Sequence, residues 1–157
     1  MTGRRTMTLV VVVVVAVAAL VTAGRPASVS GVPVPAGVSP TDRELVTNYF
    51  DQLNAAAADG VSAEQDFLAR TQVREFADRL CELGGVTVAE RPTLTTLRPD
   101  PAWIPIGAAA GPHGSVYAVA VTAVVRQDGS VVSTQIGAQR VVVTSGVAYG
   151  FAPCPVR

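Results

Sequence analysis

SVYAVAVTAVVRQDGSVVSTQIGAQRVVVTSGVAYGF, residues 115–151, decides the fold. Gln127-Asp128-Gly129-Ser130 breaks a valine-rich alternation with an Asp-Gly pair, the strongest short hairpin signal because both residues tolerate positive φ. Ser145-Gly146 makes a second break, so the stretch reads as three consecutive antiparallel strands. Two-residue turns oppose Val119 with Ala138, Val121 with Ile136 and Val142 with Tyr149, and that register assigns the faces. One face then carries Tyr117, Val119, Val121, Val125, Val132, Ile136, Ala138, Val142, Tyr149 and Phe151, with Thr134 and Arg140 as its polar members. The other carries Ala118, Ala120, Thr122, Ser133, Gln135, Gly137, Gln139, Ala148 and Gly150, with valines at 116, 124, 141 and 143. A sheet with one apolar face needs a covering layer.

The residues before it supply that layer. Ser39-Pro40-Thr41-Asp42 and Thr41-Asp42-Arg43-Glu44 are overlapping capping boxes, and Leu45, Tyr49, Leu53 and Ala56 recur at helical spacing, predicting a helix over 41–58 that Asp59-Gly60 ends. Ser62-Ala63-Glu64-Gln65 caps a short second helix carrying Phe67 and Leu68. Thr71 caps a third, with Val73, Phe76, Ala77, Leu80 and Leu83 as its stripe and Gly84-Gly85 as its stop. Residues 86–88 and 93–97 read as one or two edge strands broken at Pro92. The only tryptophan, Trp103, lies among Pro99, Pro101 and Pro105, and residues 107–114, with His113, read as a loop.

Arg4 and Arg5 precede an uncharged run over 6–24, which predicts a transmembrane anchor or signal peptide with residues 1–5 as its cytoplasmic tip and the rest of the chain outside. Val21-Thr22-Ala23 resembles a cleavage site, so a retained anchor in the cell membrane stands beside secretion after cleavage. Residues 25–38, rich in Pro and Gly, read as a linker, and 39–157 as one extracytoplasmic α+β domain. The net charge of zero gives no footprint for nucleic acid.

The two cysteines, Cys81 and Cys154, pair most simply as a disulfide in an oxidising compartment. With a single histidine they fall short of a zinc ligand set, and no metal or cofactor is expected. No catalytic residue is assigned. His113, between Pro112 and Gly114, reads as a solvated loop residue, and the strands over 115–151 contain no Asp or Glu. Glu64 reads as a helix-cap residue, and Asp51 is the acid singled out for testing in a pocket. The residues expected around a pocket are Tyr49, Trp103, Tyr117, Arg140, Tyr149 and Phe151; Arg140, placed on the core face between Tyr117 and Phe151, either snorkels to solvent over those rings or anchors an anionic ligand at the cavity mouth.

Three helices followed by a long antiparallel sheet, over roughly residues 41–152, resemble the nuclear transport factor two-like, or ketosteroid isomerase-like, fold. The likeness implies a curved sheet wrapped on three helices, a cone-like, cystatin-like roll whose mouth takes a small apolar ligand. A membrane segment, linker and compact domain also look like small uncharacterised exported proteins of high-GC actinobacteria. Stretches such as Tyr49-Phe50-Asp51-Gln52-Leu53-Asn54 and Tyr149-Gly150-Phe151-Ala152-Pro153-Cys154 resemble that group. The functional expectation is a membrane-tethered, non-enzymatic interaction or accessory module with a protein partner at the cell envelope. The alternative is a small-ligand binder or an isomerase- or hydrolase-like enzyme using the cone.

Overall fold

The computed structural model describes residues 37–154. The tip over 1–5, the anchor or signal over 6–24 and most of the linker over 25–38 lie outside the described residues. Among those described, no helix is long and apolar enough to cross a membrane.

The first helix, α1 (Pro40–Asp59), starts where the capping pattern places it. The Ser39 hydroxyl accepts a hydrogen bond from the Asp42 N–H at 3.0 Å, and Pro40 fills the first turn, where its missing N–H costs nothing. Val46, Tyr49, Phe50, Leu53 and Ala57 are its buried stripe, and Gly60, at φ 114°, ends it. Full burial of Val46, Phe50 and Leu53 contributes roughly 1.5–3 kcal/mol each. The second helix, α2 (Val61–Thr71), follows directly and buries Phe67 and Leu68.

The third predicted helix is replaced by a short 3-10 helix (Arg74–Arg79) with a kink at Phe76, after which Leu80 turns extended. Its hydrogen-bonding groups are used elsewhere. Gly150 donates its N–H to the Thr71 carbonyl and accepts from the Val73 N–H, while the Gln72 side chain donates to the Phe76 carbonyl and accepts from the Ala152 N–H. The apolar stripe is also divided: Val73 and Phe76 pack in one cluster, and Leu83 in another.

The sheet is open and antiparallel, in the order β1 (Val86–Pro99), β2 (Ser115–Gln127), β3 (Ser130–Thr144), β4 (Val147–Tyr149). β1 is one strand rather than two. Pro92 is accommodated because β1 is an edge, and the irregularity falls beyond it, between Thr93 and Arg98. Helical side chains cover part of that edge: Asn54 exchanges hydrogen bonds with the Glu90 N–H and carbonyl, both at 2.8 Å.

Both hairpin turns form as the sequence predicts, with positive φ at Asp128 (50°), Gly129 (79°), Ser145 (52°) and Gly146 (75°). The second register also holds, with Val142 opposite Tyr149. The first holds only next to its turn. Arg126 faces Val131 but Val125 faces Ser133, so Val132 is an extra, unpaired residue, a β-bulge. Beyond it Val119 faces Gln139 and Ala118 faces Arg140, one residue out of the expected pairing. Because side chains alternate, this single residue moves all the rest of β3 and β4 to the opposite face relative to β2.

The helix-facing side therefore carries Tyr117, Val119, Val121 and Val125 together with Val141, Val143 and Gln139. The outer side carries Val116, Val142, Tyr149 and Arg140, where Trp103, Phe76, Val73 and Phe151 build a second apolar cluster. The sheet thus has two apolar faces at its β2–β4 end instead of one.

Candidate functional site

The chain end closes the site. After β4, Gly150 bonds to Thr71 at the end of α2 and to Val73 just beyond it, and the Phe151 carbonyl accepts from the Gln139 amide at 2.9 Å. Cys154 then forms the expected disulfide with Cys81, with their Cα atoms 5.7 Å apart. Residues 152–154 are thereby held across the helix-facing side of the sheet, and between them and the strands lies a groove of about 200 Å³. Val88, Val121, Val125 and Ala152 give its apolar walls, and Glu90, Gln135 and Gln139 its polar groups.

Glu90 is the unexpected member. It is 3% exposed, and alternation along β1 puts it on the face of Val88, toward the helices. Gln139 donates to its carboxyl across 3.4–3.5 Å, a long contact. A second acid, Glu64, lies fully buried on α2, where both its carboxylate oxygens accept from the Val88 N–H at 3.0 and 3.1 Å. It satisfies the edge of β1 rather than capping α2. Burial dominates both titrations. Burial, with the neighbouring Glu64 charge adding, raises Glu90 to about 7 against the pull of Gln139, and burial raises Glu64 to about 7 against the Val88 N–H. Such a carboxyl carries its proton part of the time at neutral pH, so it can donate a hydrogen bond as well as accept one.

The expected pocket residues do not share one cavity. Tyr49 and Tyr117 lie on the helix-facing side: Tyr49 is buried against Phe50, Phe67 and Gly150, and the Tyr117 hydroxyl donates to Asp42 at 2.6 Å. Trp103, Arg140, Tyr149 and Phe151 belong to the outer cluster. There Arg140 donates to Asp100 through Nε and Nη2 and lies over the Trp103 ring, so an ion pair and a ring occupy its guanidinium. The bulge at Val132 corrects its placement on the core face. His113 is held to Glu75 through both its backbone N–H and its ring, and these bonds pull the Glu75 carboxyl below its ordinary range. Asp51 is exposed on α1.

The sequence carried a signal for both missed acids. Glu90 continues the alternation of Val86 and Val88, and Glu64 precedes Phe67 and Leu68 at i+3 and i+4 spacing. No cluster of His, Cys, Asp and Glu among the described residues could hold a metal ion. A larger opening of about 500 Å³ lies between the end of α1, β1 and the first hairpin, but Arg126 and Asp128 at its rim are not buried. The groove over Glu90 combines apolar walls with a buried carboxyl and the half-buried amide of Gln139, the usual make-up of a ligand site. The chain matches no family model, no curated protein and no solved structure.

Proposed function

We propose that this is a membrane-tethered extracytoplasmic binding module whose groove takes a small, mainly apolar ligand bearing one hydrogen-bonding group. A single observation carries it: a carboxyl held near neutrality by burial lines an open apolar groove, with the amide of Gln139 beside it. The groove volume suits a ligand of modest size, below the usual range of drug-sized sites. The tether reading draws on the uncharged run over 6–24 behind Arg4 and Arg5, and the Cys81–Cys154 disulfide fits an oxidising compartment. A cone of the nuclear transport factor two-like kind is the finer fold proposal, supported by helices packed on the same side as Glu90.

The test is ligand-observed NMR on the full chain in detergent micelles, with a panel of small cyclic ketones and their hydrocarbon counterparts. The ketones are expected to bind and the hydrocarbons to bind at least about tenfold more weakly, a difference of about 1.4 kcal/mol. Glu90→Leu should remove the preference and Glu90→Gln should keep most of it. Equal binding of ketone and hydrocarbon, or a preference that survives Glu90→Leu, would sink the reading. Enzymatic use of the same groove is the second reading, favoured because an acid near pH 7 can hold or hand over a proton at neutrality. Specific turnover abolished by Glu90→Gln would establish it.

A further inference from the structure

The loop that joins β1 to β2 presents its apolar residues outward while its backbone is pinned. Residues 101–111, PAWIPIGAAAG, contain no charge, and within them Ile106 is 99% and Ile104 is 51% exposed. The loop has a fixed shape. Asp100 donates its N–H to the Val116 carbonyl, Trp103 to Asp100 and Ala108 to Pro105, and the Arg79 guanidinium donates to the Ile106 carbonyl at 2.8 Å. Trp103 packs edge-on against Phe151, and His113 is fastened to Glu75 at the far end. Here the hydrogen bond from Arg79 holds Ile106 at the tip.

We infer that this loop docks on the surface of a phospholipid bilayer, with Ile104 and Ile106 entering the boundary between headgroups and acyl chains. Two isoleucines at a tip, a tryptophan behind them and arginine beside them match the layering of that boundary, where aromatic rings sit at headgroup depth and cations meet lipid phosphates. Arg79 lies against the loop, and Arg74 is exposed on the same 3-10 helix. Of that helix's acids, Glu75 is engaged by His113, leaving Asp78 exposed. A bilayer is preferred to a protein because the exposed isoleucines at the tip stand beside the cations Arg74 and Arg79, the combination that an anionic lipid surface meets. That choice also rests on the tether reading, which keeps the domain beside a membrane.

Trp103 is the only tryptophan, so its fluorescence reports the loop alone. The full chain is reconstituted in vesicles of phosphatidylcholine and phosphatidylglycerol, with and without lipids brominated high on the acyl chain. Flotation with the vesicles reports the tether, and bromine quenching reports the loop. The expected result is quenching that falls several-fold in Ile104→Asp/Ile106→Asp and weakens when phosphatidylglycerol is omitted. Both positions are solvent-exposed, so the variant keeps its fold, checked by circular dichroism and by an intact disulfide. Protein that floats with unquenched Trp103, quenching equal in the double variant, or a chain that does not associate with the vesicles would each overturn the docking.

Discussion

Tyr49 shows at residue scale how closely the helical layer meets the chain end. Its ring is buried among Phe50 and Phe67, and its hydroxyl presses on Gly150, where any side chain would collide with it. That hydroxyl is the buried side-chain polar atom that has no hydrogen-bond partner among the described residues, and burial raises its pKa further above the ordinary tyrosine value. A buried hydroxyl without a partner costs on the order of 1–3 kcal/mol. Tyr49→Phe is therefore expected to raise stability by about 1 kcal/mol, read as a higher urea midpoint at unchanged slope. A loss of stability would mean that the hydroxyl is satisfied. At Gly150 the argument runs the other way, since even alanine would have to displace the Tyr49 ring.

At the scale of elements, Val132 decides which side chains meet. One extra residue in β3 sends Val141 and Val143 to the helices and Arg140 to Asp100 and Trp103. Deleting Val132 would leave Ser133 opposite Val125 and Arg140 opposite Ala118, because that pairing is the regular continuation of the hairpin once the extra residue is gone. The faces of β3 beyond it would be unchanged, with Val141 in the core and Arg140 on Asp100 and Trp103. The expected outcome is a cooperative thermal transition close to that of the wild type, and a deletion mutant without one would refute this register. The same residue marks what the sequence made legible. Both Gly-containing turns, the span of α1 and the Cys81–Cys154 pair follow from local chemistry, and local chemistry is visible in a sequence. A bulge changes long-range pairing through one residue, and Val132 looks like its neighbours, so the regular register predicts the faces of β3 in reverse. The third helix failed similarly: its stripe was real, but β4 and the chain end claimed the backbone of residues 71–73 and its side chains served two clusters. Glu64 and Glu90 are hard to read from the sequence because acids on helices and at strand edges usually face water, although their spacing puts both on buried faces.

Those two acids give the whole molecule its pH dependence. In the folded domain both carboxyls are raised from 4.5 to about 7, chiefly by burial, whereas an unfolded chain would titrate them near the lower value. Between those limits the native state binds more protons than the unfolded state, so stability must fall as pH rises. The contribution is fully present below about pH 4.5 and is lost as pH climbs through 7. Glu75 works in the opposite sense but sits at the surface, where solvent screens it. The disulfide adds a constant term, since closing a loop of 73 residues restrains the unfolded chain by about 4 kcal/mol in the chain-entropy model. The melting temperature is therefore expected to fall between pH 5 and pH 8 with the disulfide intact. Glu90→Gln keeps the shape of the neutral acid and removes its charge together with its repulsion of Glu64. It should flatten that fall and exceed the wild type at pH 8 by on the order of 2 kcal/mol, with little difference at pH 5. A wild type whose stability is constant over this range, or a Glu90→Gln profile parallel to it, would mean that Glu90 stays ionised in the fold. The groove would then present a fixed anion, and its ligand would have to be a donor or a cation.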